Sequence, residues 1–84
     1  MTDTITIKLD RAERNFLIFL SERGNEVDID HNGLSEKAIK AINELETKMA
    51  IISIKLIGTS NTYQYKLTPI GINLVDMIRE QISE

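Results

Sequence analysis

Residues 34–71, LSEKAIKAINELETKMAIISIKLIGTSNTYQYKLTPIG, decide the fold. Over residues 35–49 the apolar side chains Ala38, Ile42, Leu45 and Met49 recur at offsets of four, seven and eleven, which is one face of a helix. After Met49 the period drops from about 3.6 to 2. Ile52, Ile54 and Leu56 then share one face of a strand, and Tyr63, Tyr65 and Leu67 share a face of a second. Gly58, Thr59, Ser60, Asn61 and Thr62 lie between them with turn composition and no large apolar residue, so the two strands read as a hairpin. Thr68 and Pro69 open a further helix. Threonine supplies the N-cap, and proline takes the first helical position, where its missing N–H costs nothing.

Working outward toward the N-terminus, residues 4–9 alternate, with Ile5, Ile7 and Leu9 on one face, as a short strand or an extended arm. Asp10 and Glu13 form a capping pattern that starts a helix, and Gly24 ends it as the C′ residue. Ala12, Phe16, Phe19 and Leu20 fall on one face of that helix. Leu17 and Ile18 extend the apolar run to five consecutive residues, which implies a second buried face and hence a dimer. Residues 25–33, NEVDIDHNG, are too few for both a strand and a full helix. Val27 and Ile29 read as an abbreviated strand or turn, and His31, in a polar turn, as a solvent-exposed residue or an N-terminal capping neighbour. Asp28, Asp30 and Asn32 alternate as in a calcium loop, but the glycine and terminal glutamate are out of place, so an acidic turn is expected.

In the central helix the buried arc runs from Ala41 through Leu45, Ala38 and Ile42 to Ile39. The opposite face presents Lys37, Lys40, Glu44 and Thr47, with Lys48 and Glu36 at its edges. In the last helix Ile70, Leu74, Val75, Ile78 and Ile82 form a stripe, with Met77 beside it and Ile72 apart. That band is wider than the ~100° that one packed face needs.

Composition bounds the function. At 84 residues the chain is one domain, residues 1–84, near the size at which a single core is marginal. The absence of cysteine excludes disulfides and thiolate metal sites, and one histidine leaves almost no ligands for zinc or haem. No apolar run approaches the ~20 residues of a membrane span, and the polar N-terminus is no signal peptide, so a cytoplasmic chain is expected. The net charge is −3, unevenly spread. Residues 1–33 and 68–84 are acidic overall, whereas residues 34–67 hold five lysines against three glutamates. The only positive segment is therefore the central helix and hairpin, the sign that a duplex phosphate backbone requires. No carboxylate pair, activated nucleophile or phosphate-cradling glycine loop is present, so no enzyme, cofactor, metal or small-molecule ligand is expected.

A helix, a two-stranded wing and then an L-T-P-x-G sequence entering another helix resembles the winged helix-turn-helix fold of small prokaryotic and viral DNA-binding regulators of the PadR-like and MarR-like kind. Leu34-Ser35, residues 45–51 (LETKMAI) and residues 65–71 (YKLTPIG) carry the resemblance, which spans roughly Leu9 to Ile82. It implies an α+β class: a three-helix core with a two- or three-stranded β-wing, residues 1–9 as an arm or strand, and residues 68–84 as a C-terminal dimerisation helix. The first helix of the turn motif is shortened or absent, because residues 25–33 have no room for it.

The expected function is sequence-specific binding of double-stranded DNA by a homodimeric transcriptional regulator. Ser35, Lys37, Lys40, Ala41 and Lys48 would enter the major groove, where Glu44 would face the phosphates or accept from a cytosine amino group. Lys55, Thr59, Ser60, Asn61 and Lys66 would contact the backbone. The dimer interface would use Leu17, Ile18, Ile72, Leu74, Val75, Ile78 and Ile82. The DNA reading supposes that the lysines gather on one outward surface. Two alternatives stay open: a winged helix that binds protein, and an architectural or replication-associated protein that binds DNA without sequence preference.

Overall fold

The computed structural model describes residues 9–58 and 61–82, with side chains as far as residue 80. The elements run α1 (Arg11–Glu22), β1 (Glu26–Asp30), a 3₁₀ turn (His31–Gly33), α2 (Glu36–Thr47), β2 (Ile51–Lys55), β3 (Thr62–Leu67) and α3 (Pro69–Ile82). The strands form one antiparallel sheet in the order β1-β3-β2. Three helices against such a sheet are compatible with a winged-helix-like layout. Residues 26–33 hold β1 and the 3₁₀ turn and no α-helix, as the length of that stretch led one to expect.

Local chemistry sets each boundary. Asp10 and Glu13 form a capping box: the Glu13 N–H donates to Asp10 Oδ1 at 2.8 Å and the Asp10 N–H donates to Glu13 Oε1 at 3.0 Å. Both α1 and α2 end in Schellman motifs. In α1 the Asn25 N–H bonds the Leu20 carbonyl at 2.9 Å, with Gly24 at φ 78°. In α2 the Ala50 N–H bonds the Leu45 carbonyl at 2.9 Å, and Met49 takes the positive φ of 62° that glycine would adopt more cheaply. That turn feeds the chain into β2. Thr68 Oγ1 accepts the Gly71 N–H at 3.1 Å, as the N-cap expectation requires, and donates to the Met49 carbonyl at 2.6 Å. Gly71 is needed for space: a Cβ there would lie 2.1 Å from the Ala50 carbonyl oxygen. The L-T-P-x-G sequence thus fastens the start of α3 to the turn between α2 and β2.

The core lies between the helices and the inner face of the sheet. Leu17 and Leu20 of α1, Ile42 and Leu45 of α2, Ala50, Ile51, Tyr65, and Leu74, Val75 and Ile78 of α3 are buried together. The register is Ile51↔Leu67, Ser53↔Tyr65 and Lys55↔Tyr63 on one side of β3, and Val27↔Tyr65 and Ile29↔Tyr63 on the other. Residues opposite one another share a face. The inner face is therefore Val27, Ile29, Tyr63, Tyr65, Leu67, Ile51, Ser53 and Lys55.

This corrects the face expected for β2. The apolar face that Ile52 and Ile54 share is not the inner one: they are 49% and 46% exposed, while Ile51 is 2% exposed. The tyrosines and Leu67 of β3 occupy the inner face, and pairing to them turns the odd-numbered residues of β2 inward. A slip of one residue exchanges the two faces of a strand. Alternation of Ile52, Ile54 and Leu56 with Ser53 and Lys55 points to the even-numbered face, and pairing with β3 overrides it.

Candidate nucleic-acid interface

The outer side of α2 is the surface on which a reading helix would be built. Ser35 is its N-cap, the Ala38 N–H donating to Ser35 Oγ at 3.2 Å. Lys37, Lys40, Asn43, Glu44 and Thr47 are exposed along the helix, at spacings that keep them on one side. Neither Lys37 nor Lys40 has an ion-pair partner among the described residues. Asn43, which the sequence reading passed over, sits among them with an amide suited to bidentate pairing with adenine. Beside the N-terminal half of α2 an open cleft of ≈ 360 Å³ is lined by Phe16, Ala38, Ala41 and Lys37.

Other expected contacts are placed elsewhere. Ala41 is 4% exposed and belongs to the buried side of α2, so it cannot touch a base. Lys48 turns inward: its ammonium lies 2.8 Å from Glu13 Oε1, with 25% of the lysine and 3% of the glutamate side chain exposed. It ties the C-terminus of α2 to the first turn of α1. Lys55 and Lys66 lie on opposite faces of the sheet, because their positions in the register differ in parity. Lys66 stands across from Glu26 at 3.8 Å. The Asn61 amide donates to Asn32 Oδ1 at 3.2 Å and its carbonyl accepts the His31 N–H at 2.9 Å, so it fastens the hairpin to the 3₁₀ turn. Thr59 and Ser60 lie outside the described residues. The lysines therefore do not gather on one surface, and the supposition behind the expected DNA reading holds only for Lys37 and Lys40 of α2. Lys37 and Lys40 remain on α2, and Lys55 is exposed at the end of β2.

The expected dimer face is corrected in the same way. Leu17 is fully buried, and Leu74, Val75 and Ile78 are at most 5% exposed within the chain's own core. Such side chains have no surface left to offer a second subunit. Ile18 is half-buried against the core, and Ile72 is exposed on α3 together with Ile70 and Met77. The Ile82 side chain lies outside the description.

One cluster was missed in the sequence. His31 is half-buried, not free in solvent. Its ring lies 4.4 Å from that of Tyr63 and stacks on Tyr65 with an interplanar angle of 7°. Phe16 meets Tyr65 edge-on at 5.8 Å. The Tyr65 hydroxyl and His31 Nε2 share a hydrogen bond. Burial pushes the Tyr65 phenol up to about 12, with the Glu46 carboxylate and Tyr63 adding to it. The signal was present: Val27, Ile29 and His31 are alternate residues, so the strand's own period carries the imidazole onto the inner face. A second missed contact is Ser53, whose hydroxyl donates to Glu46 Oε2 at 2.5 Å and joins β2 to α2.

The acidic groups of β1 are set apart from all this. Glu26, Asp28 and Asp30 are exposed on the outer face of the sheet, away from the helices, and Asp30 Oδ1 also accepts the Asn32 N–H at 2.9 Å. Among the described residues no cluster of metal-ligating side chains occurs, and no helix is long and apolar enough to cross a membrane. Comparison with protein-family models, with curated proteins and with solved structures finds no match.

Proposed function

We propose that this chain is a winged-helix DNA-binding protein that acts as a homodimeric transcriptional regulator. The observation that carries the reading is the outer side of α2. Ser35, Lys37, Lys40 and Asn43 stand exposed on a helix whose opposite side is locked into the core by Ile42 and Leu45. A rigid helix with an exposed row of donors is what major-groove recognition uses. Glu44 on the same side would accept from a cytosine amino group and disfavour other bases there. The β2–β3 hairpin follows α2 directly and is held to it through the Ser53–Glu46 bond, so helix and wing would meet a duplex as one body. The acidic row of β1 lies on the outer face of the sheet, clear of the α2 surface.

Selection of bound duplexes from a random pool at moderate salt tests this. Enrichment of a palindrome supports both specificity and a two-fold dimer. Recovery of random sequences with equal affinity points to an architectural role, and failure to retain duplex rejects the proposal. The exposed isoleucines of β2 and the diversion of Lys48 and Lys66 into contacts with Glu13 and Glu26 favour the second reading, a protein-binding winged helix. That reading gains if the pool yields nothing.

A further inference from the structure

The sheet has two edges, and they are finished differently. β1 closes one edge with Glu26, Asp28 and Asp30 exposed along it. A second copy pairing antiparallel there would set Asp28 against Asp28 and Glu26 against Asp30, and like charges directly opposed are destabilising. β2 closes the other edge with Ile51, Ile52, Ser53, Ile54 and Lys55, a run without proline, acid or bulge. Natural proteins guard open edges with charge, proline or a bulge; β1 carries three acids along its edge, and β2 carries the single Lys55 at its end.

The backbone of β2 is ready for a partner. The Thr68 N–H donates to the Ala50 carbonyl and the Leu56 N–H donates to the Thr62 carbonyl, each at 3.0 Å. Those bonds bracket the ladder, so the even-numbered residues of β2 bond β3 and the N–H and C=O of Ile51, Ser53 and Lys55 face the open edge. We infer that β2 is a self-association edge, along which two copies pair antiparallel about Ser53 to extend the sheet across both subunits. This names the interface of the homodimer proposed above and rests on that part of the reading alone.

The pairing is self-complementary in backbone, apolar contact and charge. Centred on Ser53, Ile51 faces the partner's Lys55, and every outward backbone group meets another. Ile52 and Ile54 then fall at non-hydrogen-bonded positions against the partner's Ile54 and Ile52, where side chains approach most closely. Half-exposed in one chain, they form a cluster of four across the axis. On the inner face Glu46 is held beside Ser53 by the 2.5 Å bond from its hydroxyl. The partner's Lys55, opposite Ile51, is the diagonal neighbour of Ser53, about 7–8 Å away and within reach of a long side chain. Each Glu46 thereby meets one Lys55 of the other copy, twice by symmetry. Lys55 is then engaged by the partner subunit and not by phosphate.

Sedimentation equilibrium in the absence of DNA, from micromolar to millimolar chain, tests the inference. The expected result is a mass rising from the 9.6 kDa of one chain to twice that value. Ile54→Lys, at a half-exposed site that leaves the core intact, holds the mass at one chain. Lys55→Glu does the same, and Lys55→Glu combined with Glu46→Lys restores the doubled mass, which a merely structural role for either residue would not produce. Isotope-filtered NMR of the wild type shows contacts between Ile52 of one copy and Ile54 of the other. A wild type that stays monomeric throughout, or intermolecular contacts confined to α3 around Ile72, overturns it. A β2 dimer that ignores duplex DNA keeps this inference and sinks the DNA reading, whereas a monomer that binds duplex does the reverse.

Discussion

Lys48→Met separates a structural lysine from one that reads DNA. Methionine keeps the length of the stem and the helix propensity, and removes only the ammonium. What remains is the Glu13 carboxylate, 3% exposed, still accepting the Asp10 N–H at 3.0 Å. Removing one partner of a buried ion pair costs about 3–5 kcal/mol. Here the lysine end is 25% exposed and the N–H survives, both of which lessen the penalty. A loss of about 2 kcal/mol is expected, equivalent for a domain of this size to a fall in Tm of roughly 8–16 °C. The control is Lys66→Met, whose pair with Glu26 spans 3.8 Å with 41% and 53% of the side chains exposed. It should cost no more than ~0.5 kcal/mol. Urea unfolding at one fixed protein concentration compares the two variants, because any self-association makes apparent stability depend on concentration. Indistinguishable midpoints for Lys48→Met and Lys66→Met would refute the assignment of Lys48 to the junction between α1 and α2.

Three further outcomes are expected. Gly71→Ala should destabilise by at least ~2 kcal/mol in the same urea assay, because its Cβ would sit 2.1 Å from the Ala50 carbonyl oxygen and backbone would have to move. Ile78→Glu should abolish the cooperative thermal transition, since a carboxylate would replace a side chain that is 5% exposed in the core; a folded, merely monomeric variant would show that α3 faces a partner after all. Tyr65 has a folded pKa raised to about 12 from an unfolded value of 10.0, so its contribution to stability is complete below pH 10 and is lost as the pH rises through 12. The stability gap between wild type and Tyr65→Phe, followed by urea unfolding, should therefore shrink above pH 10, and a gap constant to pH 12 would contradict the buried phenol.

Element types were legible because two periods are written plainly in the chain. Helical spacing of Ala38, Ile42 and Leu45, the capping pair Asp10 and Glu13, and Thr68-Pro69 each correspond to an observed helix, cap or start. Strand faces were less legible. β2 is apolar at Ile51, Ile52 and Ile54, so its inward side is chosen by β3 and not by its own pattern. The last helix misled for a related reason: a band as wide as Leu74, Val75 and Ile78 with their neighbours suggested a second subunit, yet α1 and the sheet of the same chain take up its buried part. Side-chain partners distant in sequence were the least legible. Glu13 meets Lys48 and His31 meets Tyr65 across separations of 35 and 34 residues, and no local spacing encodes that. The candidate DNA surface shrank accordingly, since each lysine that found an acid or the wrong side of a strand left the set.

The central claim is that the exposed lysines of α2 meet the duplex and displace its counterions, and the salt dependence of duplex affinity measures it most directly. Fluorescence anisotropy across a series of salt concentrations gives the slope of log K against log salt for the wild type and for Lys37→Ala/Lys40→Ala. Each phosphate contact contributes about 0.9 to that slope, so the double variant should bind more weakly with a slope shallower by roughly 1.8. An unchanged slope and affinity, or a wild type whose affinity ignores salt, would contradict the account.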